Sequence, residues 1–123
     1  TRESIILTGR VPHDELAGHM AMGDVFAMPC RTRGHGLDVE GLGIVFLEAS
    51  ATGLPVIAGA SGGAPETVEE GVTGNVVDGR DQDALVDDLA LRERMGAAGR
   101  SLMKERWTWP SLVAGLTGAI DAR

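Results

Sequence analysis

The chain has 123 residues, with 18 Gly, 11 basic and 18 acidic side chains, no Tyr, one Cys and a formal net charge of -7. That length fits one domain at most, and a hydrophobic content of 43% excludes a disordered or fibrous chain despite the glycine. The acidic balance argues against a grip on nucleic-acid phosphates, the lone Cys30 excludes an intrachain disulfide, and no apolar run is long enough to span a bilayer.

In chain order, Ile5-Ile6-Leu7 reads as a short strand buried on both faces of a parallel sheet. Residues 12–23 read as a helix, with Pro12 in its first turn and Leu16, His19 and Met20 on one face. Val25 to Pro29 is a second strand, and Cys30 to Glu40 is a loop. In the stretch GLGIVFLEASATG, strand propensity at Ile44–Leu47 competes with helix propensity at Glu48–Ala51. Its length and the terminal Gly53 favour helix. Pro55 to Ala58 is a third strand, SGGAPETV a short helix, Thr73 to Val77 a fourth strand, and Asp81 opens another helix. The alternation predicts parallel βαβ units. Leu91, Met95, Ala98 and Leu102 form a helical stripe out of phase with Leu85 and Leu89, which predicts a break near Ala90. A Trp-rich turn ending in Pro110 and a last helix follow, with Trp107 and Trp109 expected to pack that helix onto the domain.

Gly41 and Gly43 bracket the start of the central helix, where unpaired N–H groups and the helix dipole favour an anion. Alone, a G-x-G is as readily a tight turn. The flanking acids add weight. Glu40 and Glu48 stand eight residues apart, about 12 Å along a helix, whereas the carboxylates of a glycoside hydrolase stand about 5 to 9.5 Å apart. The pair suits opposite ends of an elongated ligand better than a single glycosidic bond. Singly, each acid reads as solvated. Arg31 and Arg33 read equally well as phosphate ligands or as a solvated loop. Cys30 has no base to make it a nucleophile, and His13, His19 and His35 lack metal-ligand spacing.

The segment EGLGIVFLE, Glu40 to Glu48, resembles the Glu-x7-Glu motif of the retaining glycosyltransferases of family 4, which have the two-domain GT-B fold. TGRVPHDEL, AMGDVFAMP, TGLPVIAGASGGAPETVEEGVTGNVV and RMGAAGR match that family in order, so the resemblance covers nearly the whole chain. MPCRTRGHGLDVEGLGIVFLEAS with AGASGGAPETV looks closest to the actinobacterial GDP-mannose-dependent mannosyltransferases that act on phosphatidylinositol monomannoside.

The fold implied by the resemblance is α/β, a Rossmann-like parallel sheet flanked by helices within the C-terminal domain of a GT-B enzyme. Residues 1–123 would be an incomplete donor-binding domain, without the acceptor-binding domain and without the Arg and Lys that clamp the diphosphate earlier in the family's chain. A Leu-rich stretch usual in the family is missing where Ala90 meets Leu91, in agreement with the phase break. Glu40 would be the catalytic-site carboxylate, contacting hydroxyls of the donor hexose. The backbone N–H groups of Gly41, Leu42, Gly43 and Ile44 would meet sugar and distal phosphate, and Glu48 the ribose hydroxyls. Gly9, Arg10 and Val11 would lie against the nucleobase, with Arg31 near the diphosphate.

The resemblance implies no cofactor, no metal and no protein nucleophile. The partners implied are a nucleotide sugar, with GDP-mannose as substrate, and a lipid or glycan acceptor bound through the other domain, but no nucleic acid. The localisation implied is cytoplasmic, with peripheral association at the plasma membrane. By itself this chain would not be catalytically competent. The alternative is a stand-alone nucleotide-binding or regulatory Rossmann-like module.

Overall fold

The computed structural model describes residues 4–80 and 91–114. Three strands, β1 (Phe26–Met28), β2 (Val56–Gly59) and β3 (Gly74–Val77), form a parallel sheet in the order β1-β2-β3. Phe26, Val56 and Gly74 share one row of the register, and Met28, Ala58 and Val76 share another. The helices are α1 (Leu16–Ala21), α2 (Ile44–Thr52) and α3 (Leu91–Arg106), followed by a helical stretch over 109–114. The parallel arrangement expected from the alternating pattern is present, and the architecture is the Rossmann-like α/β one that the resemblance implies. Helix α2 is the centre of the packing, touching α1, α3 and β2.

The ambiguous GLGIVFLEASATG segment is helical because both ends are closed by glycine and its middle is buried. Gly43 at the N-cap has φ 73°, and Gly53 at the C-cap has φ 87° and donates to the carbonyls of Ala49 and Ser50. Phe46 is fully buried and meets Phe26 edge to face at 5.9 Å and 77°, so the helix is fixed over β1. Met20, Phe46, Ala49, Leu54, Val56, Ala58 and Ala64 form the core. Burying a side chain the size of Phe46 contributes about 1.5–3 kcal/mol.

Helix α3 approaches α2 closely because two glycines face it. Gly96 lies against the Gly53 carbonyl and Gly99 against Ser50. Arg100 donates from Nη2 to the Thr52 carbonyl, one of the acceptors left open at the end of α2. Met95 and Leu102 of the predicted stripe are buried, joined by Met103.

Three expectations change. Ile5, Ile6 and Leu7 do not form a strand and are 67%, 85% and 91% exposed. A strand buried on both faces needs a neighbour and cover above and below. Among the described residues nothing pairs with the outer edge of β1, and the run receives no such cover. Helix α1 is shorter than residues 12–23. Its first turn is bonded three residues back, from the N–H of Glu15 to the Pro12 carbonyl and from Leu16 to His13, so α-helix proper begins only at Leu16. Trp107 is half-buried as expected, but Trp109 is 81% exposed and does not pack on the domain. The helix expected from Asp81 and the break near Ala90 lie outside the described residues.

Candidate functional site

Chains leaving parallel strands emerge on one edge of the sheet, and each following helix starts there, so loop residues distant in sequence meet. Three segments converge at this edge. After β1 come Cys30 to Thr32, at the end of β2 Gly59 to Gly63, and before α2 Glu40 to Gly43. Cys30 donates a weak hydrogen bond from Sγ to the Gly59 carbonyl at 3.6 Å. Ser61 is 2% exposed; its Oγ accepts the N–H of Glu40 at 3.2 Å and lies 3.1 Å from Oγ1 of Thr32. The N–H of Gly63 donates to the Gly41 carbonyl at 2.7 Å and, more weakly, to that of Glu40 at 3.3 Å.

Two glycines of this junction combine a left-handed backbone with a close neighbour. Gly62 has φ 54°, and a Cβ there would stand 1.7 Å from the Glu40 carbonyl oxygen. Gly43 has φ 73°, and a Cβ would stand 2.5 Å from the Phe46 ring. The left-handed turn at Gly43 therefore rests on the same aromatic that anchors α2 in the core.

The result is an open helix N-terminus. No side chain caps α2, and among the described residues the N–H groups of Gly41, Leu42, Gly43 and Ile44 have no hydrogen-bond acceptor. Gly41, Leu42 and Ile44 are exposed and Glu40 is half-buried. Unpaired donors at the positive end of a helix dipole suit an anion. The adjacent Glu40 carboxylate is acceptor-only and suits hydroxyls rather than phosphate.

Glu48, also half-buried, lies further along α2. It borders a pocket of about 400 Å³ with His13, Leu16 and Met20. It also borders an open cleft of about 670 Å³ on the α3 side, with Arg100, Met103, Lys104 and Trp107. Glu40 thus precedes the N-terminus of α2, and Glu48 lies within the helix between these two hollows.

The remaining sequence candidates are less tightly gathered. Gly9 (φ 69°) and Arg10 are exposed and Val11 is half-buried, on the segment leading to His13 and hence to the Glu48 pocket. Arg31 is exposed beside Thr32 and has no ion-pair partner among the described residues, whereas Arg33 pairs with Asp38 at 3.5 Å. Among the described residues no group of His, Cys, Asp and Glu could hold a metal.

Sequence reasoning missed Thr32 and Ser61. For Ser61 a signal existed: a hydroxyl residue directly after a strand and before Gly62-Gly63. Thr32 gave none, since its partner Ser61 comes from elsewhere in the chain.

A parallel three-stranded sheet with flanking helices, and a glycine-lined helix start at its carboxyl edge, defines a Rossmann-like α/β domain. The particular family is shown by sequence: residues 1–103 match the model of glycosyl transferases group 1, and the chain belongs to that family. It is 59% identical over 121 residues to the GDP-mannose-dependent alpha-(1-6)-phosphatidylinositol monomannoside mannosyltransferase of Mycobacterium tuberculosis, covering 93% of this chain and 31% of that protein. Against the enzyme of the same name from Mycolicibacterium smegmatis it is 56% identical over 128 residues, covering 98% of this chain and 34% of the relative. The chain therefore spans about a third of the length of these curated relatives. Sucrose-phosphate synthase from Thermosynechococcus elongatus superposes with a TM-score of 0.78 at 27% identity, covering 98% of this chain and 30% of that one.

Proposed function

We propose that this chain is the later part of the donor-binding domain of a retaining nucleotide-sugar-dependent glycosyltransferase, one that transfers mannose from GDP-mannose to a phosphatidylinositol mannoside lipid. The observation that carries the site is the open N-terminus of α2, with free N–H groups from Gly41 to Ile44 between Glu40 and Glu48. The choice of donor and acceptor is supported by the names of the mycobacterial relatives.

In this reading the distal phosphate and the hexose sit over the N–H groups at the helix start. These groups stabilise charge as it accumulates on the leaving diphosphate, and they are already oriented, so no reorganisation is needed during the reaction. Glu40 accepts hydrogen bonds from hexose hydroxyls and fixes the anomeric carbon relative to the acceptor. Glu48 accepts from the ribose hydroxyls, with the base towards Gly9, Arg10 and Val11, and Arg31 approaches the diphosphate. The leaving phosphate takes the acceptor's proton, so the protein supplies no nucleophile, and no metal is required. The acceptor binds through a separate domain, with which this one forms the cleft. Among the described residues no helix is long and apolar enough to cross a membrane; a lipid acceptor would be met by peripheral association at the cytoplasmic face.

The test is turnover of GDP-mannose by the full-length protein and its Glu40→Ala and Glu48→Ala variants. Losing a hydrogen-bonded carboxylate costs about 1.5–3 kcal/mol, or roughly 10- to 150-fold in rate or affinity. Glu40→Ala is expected to lower kcat and Glu48→Ala to raise the donor KM. Wild-type turnover in both variants sinks the assignment.

A further inference from the structure

The buried hydroxyl of Ser61 and that of Thr32 are not ligand groups in the site described above, yet they tie its three segments together. We infer that the Thr32–Ser61 hydroxyl pair is a positioning device, holding Glu40 and the Gly41–Gly43 turn in the geometry that the transferred sugar needs; this rests on the donor-site assignment above.

Three observations lead to it. Ser61 Oγ receives the N–H of Glu40 itself, the residue assigned to the hexose, at 3.2 Å. Ser61 is 2% exposed, so its hydroxyl is held in place by packing, and removing it takes away the acceptor of the part-buried Glu40 N–H. Oγ of Ser61 also lies 3.1 Å from Oγ1 of Thr32, which carries the constraint to the segment after β1, beside Arg31. One serine hydroxyl offers two lone pairs and one hydrogen, enough to accept from Glu40 while bonding Thr32 in either direction.

The backbone on the other side of Glu40 is fixed independently. Its carbonyl packs on Gly62 and receives the N–H of Gly63. Glu40 is thus held at its N–H by a side chain and at its carbonyl by backbone. The side-chain half can be deleted without touching the glycines.

The test uses the full-length protein, with Thr32→Val, which keeps volume and removes the hydroxyl, Thr32→Ser, which keeps the hydroxyl, and Ser61→Ala. Steady-state kcat, the KM values for GDP-mannose and acceptor, and melting temperature are measured for each, with Glu40→Ala in the same series. A lost hydrogen bond that positions a reacting group is expected to lower kcat about tenfold in Thr32→Val and in Ser61→Ala. The acceptor KM stays as in wild type, and Thr32→Ser recovers most of the lost turnover. Because the pair acts as a unit, Thr32→Val combined with Ser61→Ala falls no further than Ser61→Ala alone.

Three results overturn the inference. In one, melting temperatures fall while kcat and donor KM hold. In another, Thr32→Ser is as impaired as Thr32→Val, so volume rather than the hydroxyl matters. In the last, the double variant shows the product of the single effects. Wild-type turnover in Glu40→Ala would instead show that the donor-site assignment fails; depressed turnover in Glu40→Ala with both hydroxyl variants unaffected would show that only the pair fails.

Discussion

The carboxyl edge of the sheet and the Ile5–Leu7 run are built in opposite ways. At the carboxyl edge, Glu40 is held at both its N–H and its carbonyl, Gly62 and Gly63 lie on neighbouring backbone, and Phe46 supports the turn at Gly43 from below. Elsewhere, Ile5, Ile6 and Leu7 are exposed, and no described residue pairs with the outer edge of β1. The chain fixes its backbone where unsatisfied donors must be kept in place, and leaves unfixed a run whose apolar character needs cover from elsewhere. Rigidity at the carboxyl edge has a function, because free N–H groups stabilise an anion without reorganisation only if they are held in advance.

Mutations can break or sharpen this contrast. The largest effect is expected at Phe46, fully buried beneath the site: Phe46→Ala should cost about 3–5 kcal/mol, read from urea denaturation of the full-length protein, and a loss under 1 kcal/mol would mean the ring does not anchor α2. Next is Gly62→Ala, which must either leave φ 54° or press on the Glu40 carbonyl. About 2–3 kcal/mol of strain is expected, with loss of donor binding by titration calorimetry, and unchanged binding would show that the junction is not fixed there. Arg100→Met removes the donor to the Thr52 carbonyl but keeps an apolar stem. It should cost about 1 kcal/mol in the same denaturation experiment, and a gain in stability would contradict the role given to that contact. The smallest effect is in the exposed run, where Ile6→Ser within this 123-residue chain should shift stability by less than about 0.5 kcal/mol. A larger loss would place Ile6 in a core and remove the contrast.

Much of the fixed edge was legible in the sequence, and the reason is local. Gly43 and Gly53 mark both ends of α2 because each must take a left-handed conformation, so the helix could be read despite Ile44 and Val45. The eight-residue spacing of Glu40 and Glu48 does not measure their separation, because Glu40 precedes the helix and only Glu48 lies on it. Thr32 and Ser61 were not legible as a pair, since they are 29 residues apart and meet only because parallel strands deliver their ends to the same edge. Ile5–Leu7 misled for the opposite reason. Its composition states what the run would bury, and says nothing of whether the neighbouring chain supplies the cover. The exposure of Trp109 is of the same kind.

The central claim is that a nucleotide sugar lies across the start of α2 between Glu40 and Glu48. A crystal structure of the full-length protein with GDP-mannose tests it most directly. It should show oxygens of the distal phosphate or hexose within about 3 Å of the N–H groups between Gly41 and Ile44, hexose hydroxyls on Glu40, and ribose hydroxyls on Glu48. A nucleotide seated instead in the cleft lined by Arg100, Lys104 and Trp107, with the N-terminus of α2 facing only water, would contradict it.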